Sequence, residues 1–212
     1  MSRYLISLDP SFTRTGICVI DLLEKKIEFF TAACKIGEKQ FENVVHAAQS
    51  IVDQLKEIFK KYDDDYDLIH ESPLPMSSMS SALYSLDTLI YHTFEPHIKI
   101  TYNPATLRSK IHRCKYTKTD SVNLANKYLG ILLKNNYQIK SIIGTKKKIN
   151  NDTAEAFLYA HLYLYNNKHT DFMFNNDDDV LKRKARLSDL KRREKLLLSG
   201  KDYESADLEK IK

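Results

Sequence analysis

Four carboxylates stand where apolar segments of this chain end or begin, and their types and spacing suggest metal chemistry. Asp9 closes one segment in Ser7-Leu8-Asp9-Pro10-Ser11, and Glu71 closes another in Leu68-Ile69-His70-Glu71-Ser72. Asp152 and Glu155 lie three apart at the start of a later apolar run. On a helix that spacing puts both on one face, roughly 5–6 Å apart at Cβ. If the first two segments are neighbouring strands and the helix starts against them, four oxygen ligands converge. Like charges so close need a cation between them, and an all-oxygen donor set suits magnesium, with manganese as a substitute. Taken singly, each acid has a plainer structural reading. An Asp after a strand forms turns, Glu71 before Ser-Pro suits a solvated strand end, and acids in a first helical turn complement the helix dipole. The combination raises the odds of a site.

Elements that could hold these acids follow from the apolar periodicity. Residues 3–8, 17–21 and 26–33 read as three short strands with few residues between them, an antiparallel meander. Over residues 38–62, Phe41, Val44, Val45, Ala48, Val52, Leu55 and Phe59 recur at helical spacing. Residues 66–71 form a fourth strand, 77–94 a helix and 99–102 a fifth strand, followed by a helix start at Asn103-Pro104. Further helices span 119–134 and 152–165. The expected fold is therefore α/β, a mixed five-stranded sheet flanked by helices. Past about residue 170, Asp177-Asp178-Asp179 gives way to Lys182, Arg183, Lys184 and Arg186. We read 1–170 as the main domain and 171–212 as a charged helical C-terminal extension.

Charge is distributed unevenly. Residues 1–98 carry 9 Lys/Arg against 15 Asp/Glu, whereas residues 99–148 carry 12 against one, Asp120. A cationic block of that size calls for an anionic partner or a solvated face; nucleic acid leads, with an anionic membrane surface second. Hydrophobic residues at 42% and charged residues at 29% permit an ordinary soluble core and argue against wholesale disorder. No apolar run approaches the roughly 18 residues of a membrane helix. The first residues lack the succession of a secretory signal. Cys18, Cys34 and Cys114 form no CxxC pair and leave one over. Neither a zinc knuckle nor a disulfide framework is indicated, and a reducing cytoplasm is the expected setting.

The residues around the four acids resemble the RuvC family of Holliday-junction resolvases. Leu8-Asp9-Pro10-Ser11, then Thr15-Gly16 and Ile17-Cys18-Val19-Ile20, looks like that family's first motif. His70-Glu71, followed by a loop and Ser80-Ser81-Ala82-Leu83, resembles the second, and Asn151-Asp152-Thr153-Ala154-Glu155-Ala156 the last. The likeness runs over about residues 3–168, with departures. Ser11 stands where Gly is usual, and Glu155 where Asp or His is commoner. The glycines before the family's active-site lysine are absent from His112-Arg113-Cys114-Lys115-Tyr116-Thr117-Lys118, so either Lys115 or Lys118 is the equivalent.

The resemblance implies a ribonuclease H-like fold and a homodimeric endonuclease for branched DNA, acting in recombination and repair in the cytoplasm. A divergent phage or mobile-element origin would suit these departures. It implies Asp9, Glu71, Asp152 and Glu155 as metal ligands, and Lys118 or Lys115 as the cation facing the transition state. Arg108, Lys110, Arg113 and Lys115, with Tyr102, Tyr116 and Lys146 to Lys148, would track the phosphate backbone. A solvated loop suits the last three equally. Leu74 or Met76 would wedge into the junction, although packing back on its own domain is as good a reading. The 77–94 helix would supply the dimer face, and intradomain packing explains its small residues as well. The tail weakly resembles the UVR helical hairpin and could dock another protein; a solvated charged helix is its plainer reading. Two rivals remain. An actin-like ATPase would need a Gly-rich phosphate loop and greater length than this chain has, and a non-catalytic nucleic-acid binder would not need all four acids.

Overall fold

The computed structural model describes residues 2–34, 42–63, 65–73, 80–104, 117–141 and 149–172. In chain order these are β1 (Tyr4–Asp9), β2 (Thr15–Asp21), β3 (Lys26–Ala32), α1 (Glu42–Phe59) with a 3-10 turn at Lys60–Tyr62, and β4 (Tyr66–Glu71). There follow α2 (Ser80–Thr93), β5 (Lys99–Tyr102), α3 (Lys118–Lys134), β6 (Gln138–Ser141) and α4 (Asn151–Asn166). The helix expected from Asn103-Pro104 and the tail beyond Phe172 lie outside the described residues.

The strands form one sheet in the order β5-β4-β1-β2-β3-β6. β1, β2 and β3 make the antiparallel meander read from the sequence, and β4 and β5 continue the sheet in parallel from β1. The sheet has six strands, not five. β6 pairs in parallel with β3 at the far edge, and its four residues carry one apolar side chain, Ile139. An edge strand half open to water needs no alternating pattern, so nothing in its composition marks it.

Alternation along the strands divides the core in two. Leu5, Cys18, Ile20, Ile27, Phe29 and Ile69 face one side, where α3 and α4 pack; Ile6, Leu8, Ile17, Val19, Phe30 and Leu68 face the other, against α1 and α2. Residues i and i+2 share a strand face, and this spacing fixes which helices each strand meets. α4 is buried almost all round from Thr153 to Leu164 because it lies between the sheet and α3. Its start is set by Asn150, whose Oδ1 accepts from the Thr153 backbone N–H at 2.9 Å while Thr153 Oγ1 accepts from the Asn150 N–H at 3.1 Å, a capping box. α3 opens the same way, with Asp120 Oδ2 accepting from the Thr117 N–H at 2.8 Å. Packing on this side continues through Phe172, which is fully buried against Tyr137 and His161.

Candidate metal centre

Strand register brings the first two acids together. β1 and β4 run parallel with Leu8 opposite His70, so Asp9 and Glu71 leave the same end of the sheet side by side. β2 begins opposite, with Gly16 facing Asp9. A Cβ on Gly16 would stand 2.2 Å from the carbonyl carbon of Asp152 and 2.6 Å from the Thr153 nitrogen. Only a residue without a side chain lets the first turn of α4 settle on that strand end. One turn in, Glu155 reaches the two strand-end acids: one carboxylate oxygen each from Asp9, Glu71 and Glu155 lie within 4.8 Å of one another.

Neighbouring hydroxyls orient two of the three acids. Tyr159 Oη donates to Glu71 Oε2 at 2.7 Å, and its ring stacks on Tyr102, with centroids 5.9 Å apart and planes 13° from parallel. Ser121 Oγ of α3, fully buried, donates to Glu155 Oε1 at 3.1 Å. Beside Glu71, buried His70 lies 3.1 Å by Nε2 from Thr101 Oγ1 and 2.9 Å by Nδ1 from Asp87 Oδ1 of α2.

The electrostatics are those of crowded carboxylates. The Asp9 carboxyl is pushed well above the ordinary carboxylate range, first by desolvation, then by the charges of Glu71, Glu155 and Asp152. Lys118, exposed in the first turn of α3, opposes that rise. A buried carboxyl crowded by other acids, as Asp9 is, gains from a nearby cation, which favours its ionised form.

Of the residues read from the sequence, Asp9, Glu71 and Glu155 come together as ligands could. Asp152 stands beside them, close enough to act on Asp9, but its Oδ2 accepts from Nε of Arg14. Lys118 lies within electrostatic reach of Asp9, whereas Lys115, Arg108, Lys110, Arg113 and Leu74 fall outside the described residues, as do Met76, Tyr116 and Lys146 to Lys148. Sequence reasoning passed over Arg14, Ser121 and Tyr159. Two of these carried a signal. Tyr159 is four residues after Glu155 and Ser121 three after Lys118, spacings that place them on the same helix faces as those groups. Arg14 carried none.

No protein-family model matches the chain, and no curated protein sequence does. Among solved structures it is similar to RuvC of T. thermophilus in complex with a Holliday junction substrate, at 13% identity over 77% of this chain and 94% of that one, with a TM-score of 0.49. It is also similar to the human cytomegalovirus terminase nuclease domain, at 12% identity over 82% and 88%, with a TM-score of 0.46. The fold is mixed α/β: an antiparallel meander extended in parallel from its first strand, with helices on both faces. Among the described residues no helix is long and apolar enough to cross a membrane.

Proposed function

We propose that this chain is a metal-dependent endonuclease that hydrolyses phosphodiester bonds of branched DNA, four-way junctions foremost, acting as a homodimer. One observation carries the reading. Three carboxylates from three separate elements converge within 4.8 Å at the end of the sheet, where burial, and then repulsion from its neighbours, disfavours the ionised state of Asp9. An all-oxygen donor set of this kind suits magnesium or manganese. Asp9, Glu71, Glu155 and Asp152 would hold the metal. When bound, such ions activate a water and stabilise the leaving oxygen of an in-line displacement.

The remaining work belongs to the chain's own groups. Tyr159 and Ser121 hold Glu71 and Glu155 in fixed rotamers, so that little reorganisation accompanies binding. Lys118 supplies positive charge next to Asp9, where negative charge accumulates on phosphorus-bound oxygens. Tyr102, at the end of β5 beside the acids, marks where the cationic 99–148 block meets the centre. In this reading Arg108, Lys110, Arg113 and Lys115 follow the phosphates, and Leu74 wedges between bases. The motif resemblance around all four acids supports the branched substrate. α2 is the proposed dimer helix, the charged tail a docking segment for another protein, and the cytoplasm of a cell or of a phage host the setting.

The test is cleavage of end-labelled four-way, three-way and linear duplex DNA by the purified protein, with and without magnesium. Magnesium-dependent nicking of the four-way junction at two symmetry-related strands is the expected result. Equal cutting of linear duplex would leave a general nuclease. No cutting of any substrate with either metal would remove the nuclease reading.

A further inference from the structure

We propose that Arg14 is a positioning residue that holds Asp152 away from the metal and gives it up when the metal binds. This rests on the reading of the acids as a metal centre. Arg14 lies in the β1–β2 loop, and its Nε donates to Asp152 Oδ2. The loop itself is fixed. Phe12 is buried in the α1-side core, Thr15 is fully buried, and Thr15 Oγ1 donates to the Ser11 carbonyl at 2.8 Å while accepting from the Ser11 N–H at 3.1 Å. The Arg14 side chain, in contrast, is half exposed, with 49% of its surface open against 13% for Asp152. Among the described residues Asp152 is its one polar partner. An anchored backbone with a solvated tip suits a side chain that swings.

A purely stabilising role explains the pair poorly. The start of α4 is already satisfied by the Asn150–Thr153 capping box. A guanidinium there sits at the positive end of the helix dipole, which favours anions and not cations. A half-exposed ion pair contributes little to stability. What the contact does accomplish is partial neutralisation of the fourth carboxylate of a crowded set. Asp152 raises Asp9 least of the three neighbouring acids, and it is the one acid whose oxygens do not join the 4.8 Å cluster. The metal and Arg14 therefore compete for one carboxylate. Once released, the planar fork of Arg14 is left at the mouth of the site, with N–H groups suited to a phosphate oxygen.

The competition is measurable with the metal alone. In isothermal titration of the full chain with manganese and no DNA, Arg14→Gln should bind about fivefold tighter than wild type, the order expected for loss of one exposed pair. Arg14→Lys, which keeps a charge at that place, should stay near wild type. In an Asp152→Asn background, Arg14→Gln should change nothing further. Circular dichroism confirms that each variant is folded. Unchanged or weaker affinity in Arg14→Gln, or an equal gain in the Asp152→Asn background, overturns the proposal and leaves the metal centre standing. A wild type that binds manganese but cuts no DNA removes the nuclease reading while the competition remains readable. A wild type that binds no manganese overturns both.

Discussion

Gly16 and Asp152 touch backbone to backbone across the join between β2 and α4, so closely that a methyl group on Gly16 would stand 2.2 Å from the Asp152 carbonyl carbon. The helix that carries Asp152 and Glu155 is thereby held to the strand that faces Asp9. Relief of such an overlap must move the helix, since the atoms in the way are backbone and cannot turn aside.

Gly16→Ala should therefore injure the centre as well as the fold. Overpacking of this kind costs about 1–3 kcal/mol, and displacement of reacting groups by about 1 Å costs on the order of a hundredfold in rate. Thermal melts and initial cleavage rates on one junction substrate give the two numbers. Wild-type metal affinity and rate in this variant would show that the helix start does not position the acids.

Asp9→Asn should abolish magnesium-dependent cleavage while DNA binding survives, and it should alter stability in a pH-dependent way. Asp9 in the folded protein holds its proton to a pH well above the ordinary value near 4, so the folded state binds more protons than the unfolded state across that interval. Stability of the metal-free protein then falls as pH rises through the interval. In chelator, wild type should lose melting temperature relative to Asp9→Asn as pH rises above the ordinary carboxylate range, and magnesium should raise wild type alone. Parallel melting curves for the two proteins across that range would contradict the crowding of the carboxylates.

Tyr159→Phe and Ser121→Ala each remove one hydrogen bond to a carboxylate, at 2.7 Å and 3.1 Å. Partners of this kind are worth about 10–100-fold in metal affinity or activity. Tyr159→Phe keeps the ring on Tyr102, so its loss should show in manganese titration and cleavage rate with the fold intact. A shift in melting temperature without any change in metal affinity would assign Tyr159 to packing alone.

Association with junction DNA should weaken steeply with salt. With about 6 phosphate contacts the log–log slope is near −5, and Lys118→Ala should lower the cleavage rate by roughly 10²–10³ with little effect on the slope. Filter binding from low to moderate salt reads the first, single-turnover kinetics the second. A flat salt dependence would turn the 99–148 block into a solvated face.

α2 has a buried face and an exposed one. Leu86 is fully buried against the α1 side of the sheet, whereas Tyr84 and Tyr91, seven residues apart on one face, are 40% and 53% exposed. A charge at Leu86 should unfold the chain by burying an unpaired ion. Tyr91→Glu should give a folded monomer if this helix forms the dimer. Sedimentation of Tyr91→Glu as an unchanged dimer would move the interface elsewhere.

The central elements were legible because their patterns are strong. The repeat from Val44 to Phe59 buries one helix face, β1 to β3 are apolar runs buried on both faces, and the four acids stood at readable boundaries. β6 was not legible, since Ile139 is its one apolar residue and it needs only one. Phe12 sits in a loop with no periodicity to announce that it plugs the α1-side core. The Arg14–Asp152 contact joins residues 138 apart in the sequence and has no local signature at all. Leu86 lies in the core, whereas Leu83, three residues earlier on the same helix, is only partly buried at its margin. Helix phase relative to the sheet decides that, and phase depends on tertiary packing.

The place of α4 in the molecule also governs when the centre can exist. Asp9 and Glu71 belong to strands made early in synthesis, but Glu155 and the helix that covers Leu5, Cys18, Ile20 and Ile69 come after every strand of the sheet. A growing or truncated chain that lacks this helix leaves that sheet face bare to chaperones and proteases and has two of its three clustered acids. Among the described elements, the carboxylate cluster is thus completed only with the last helix.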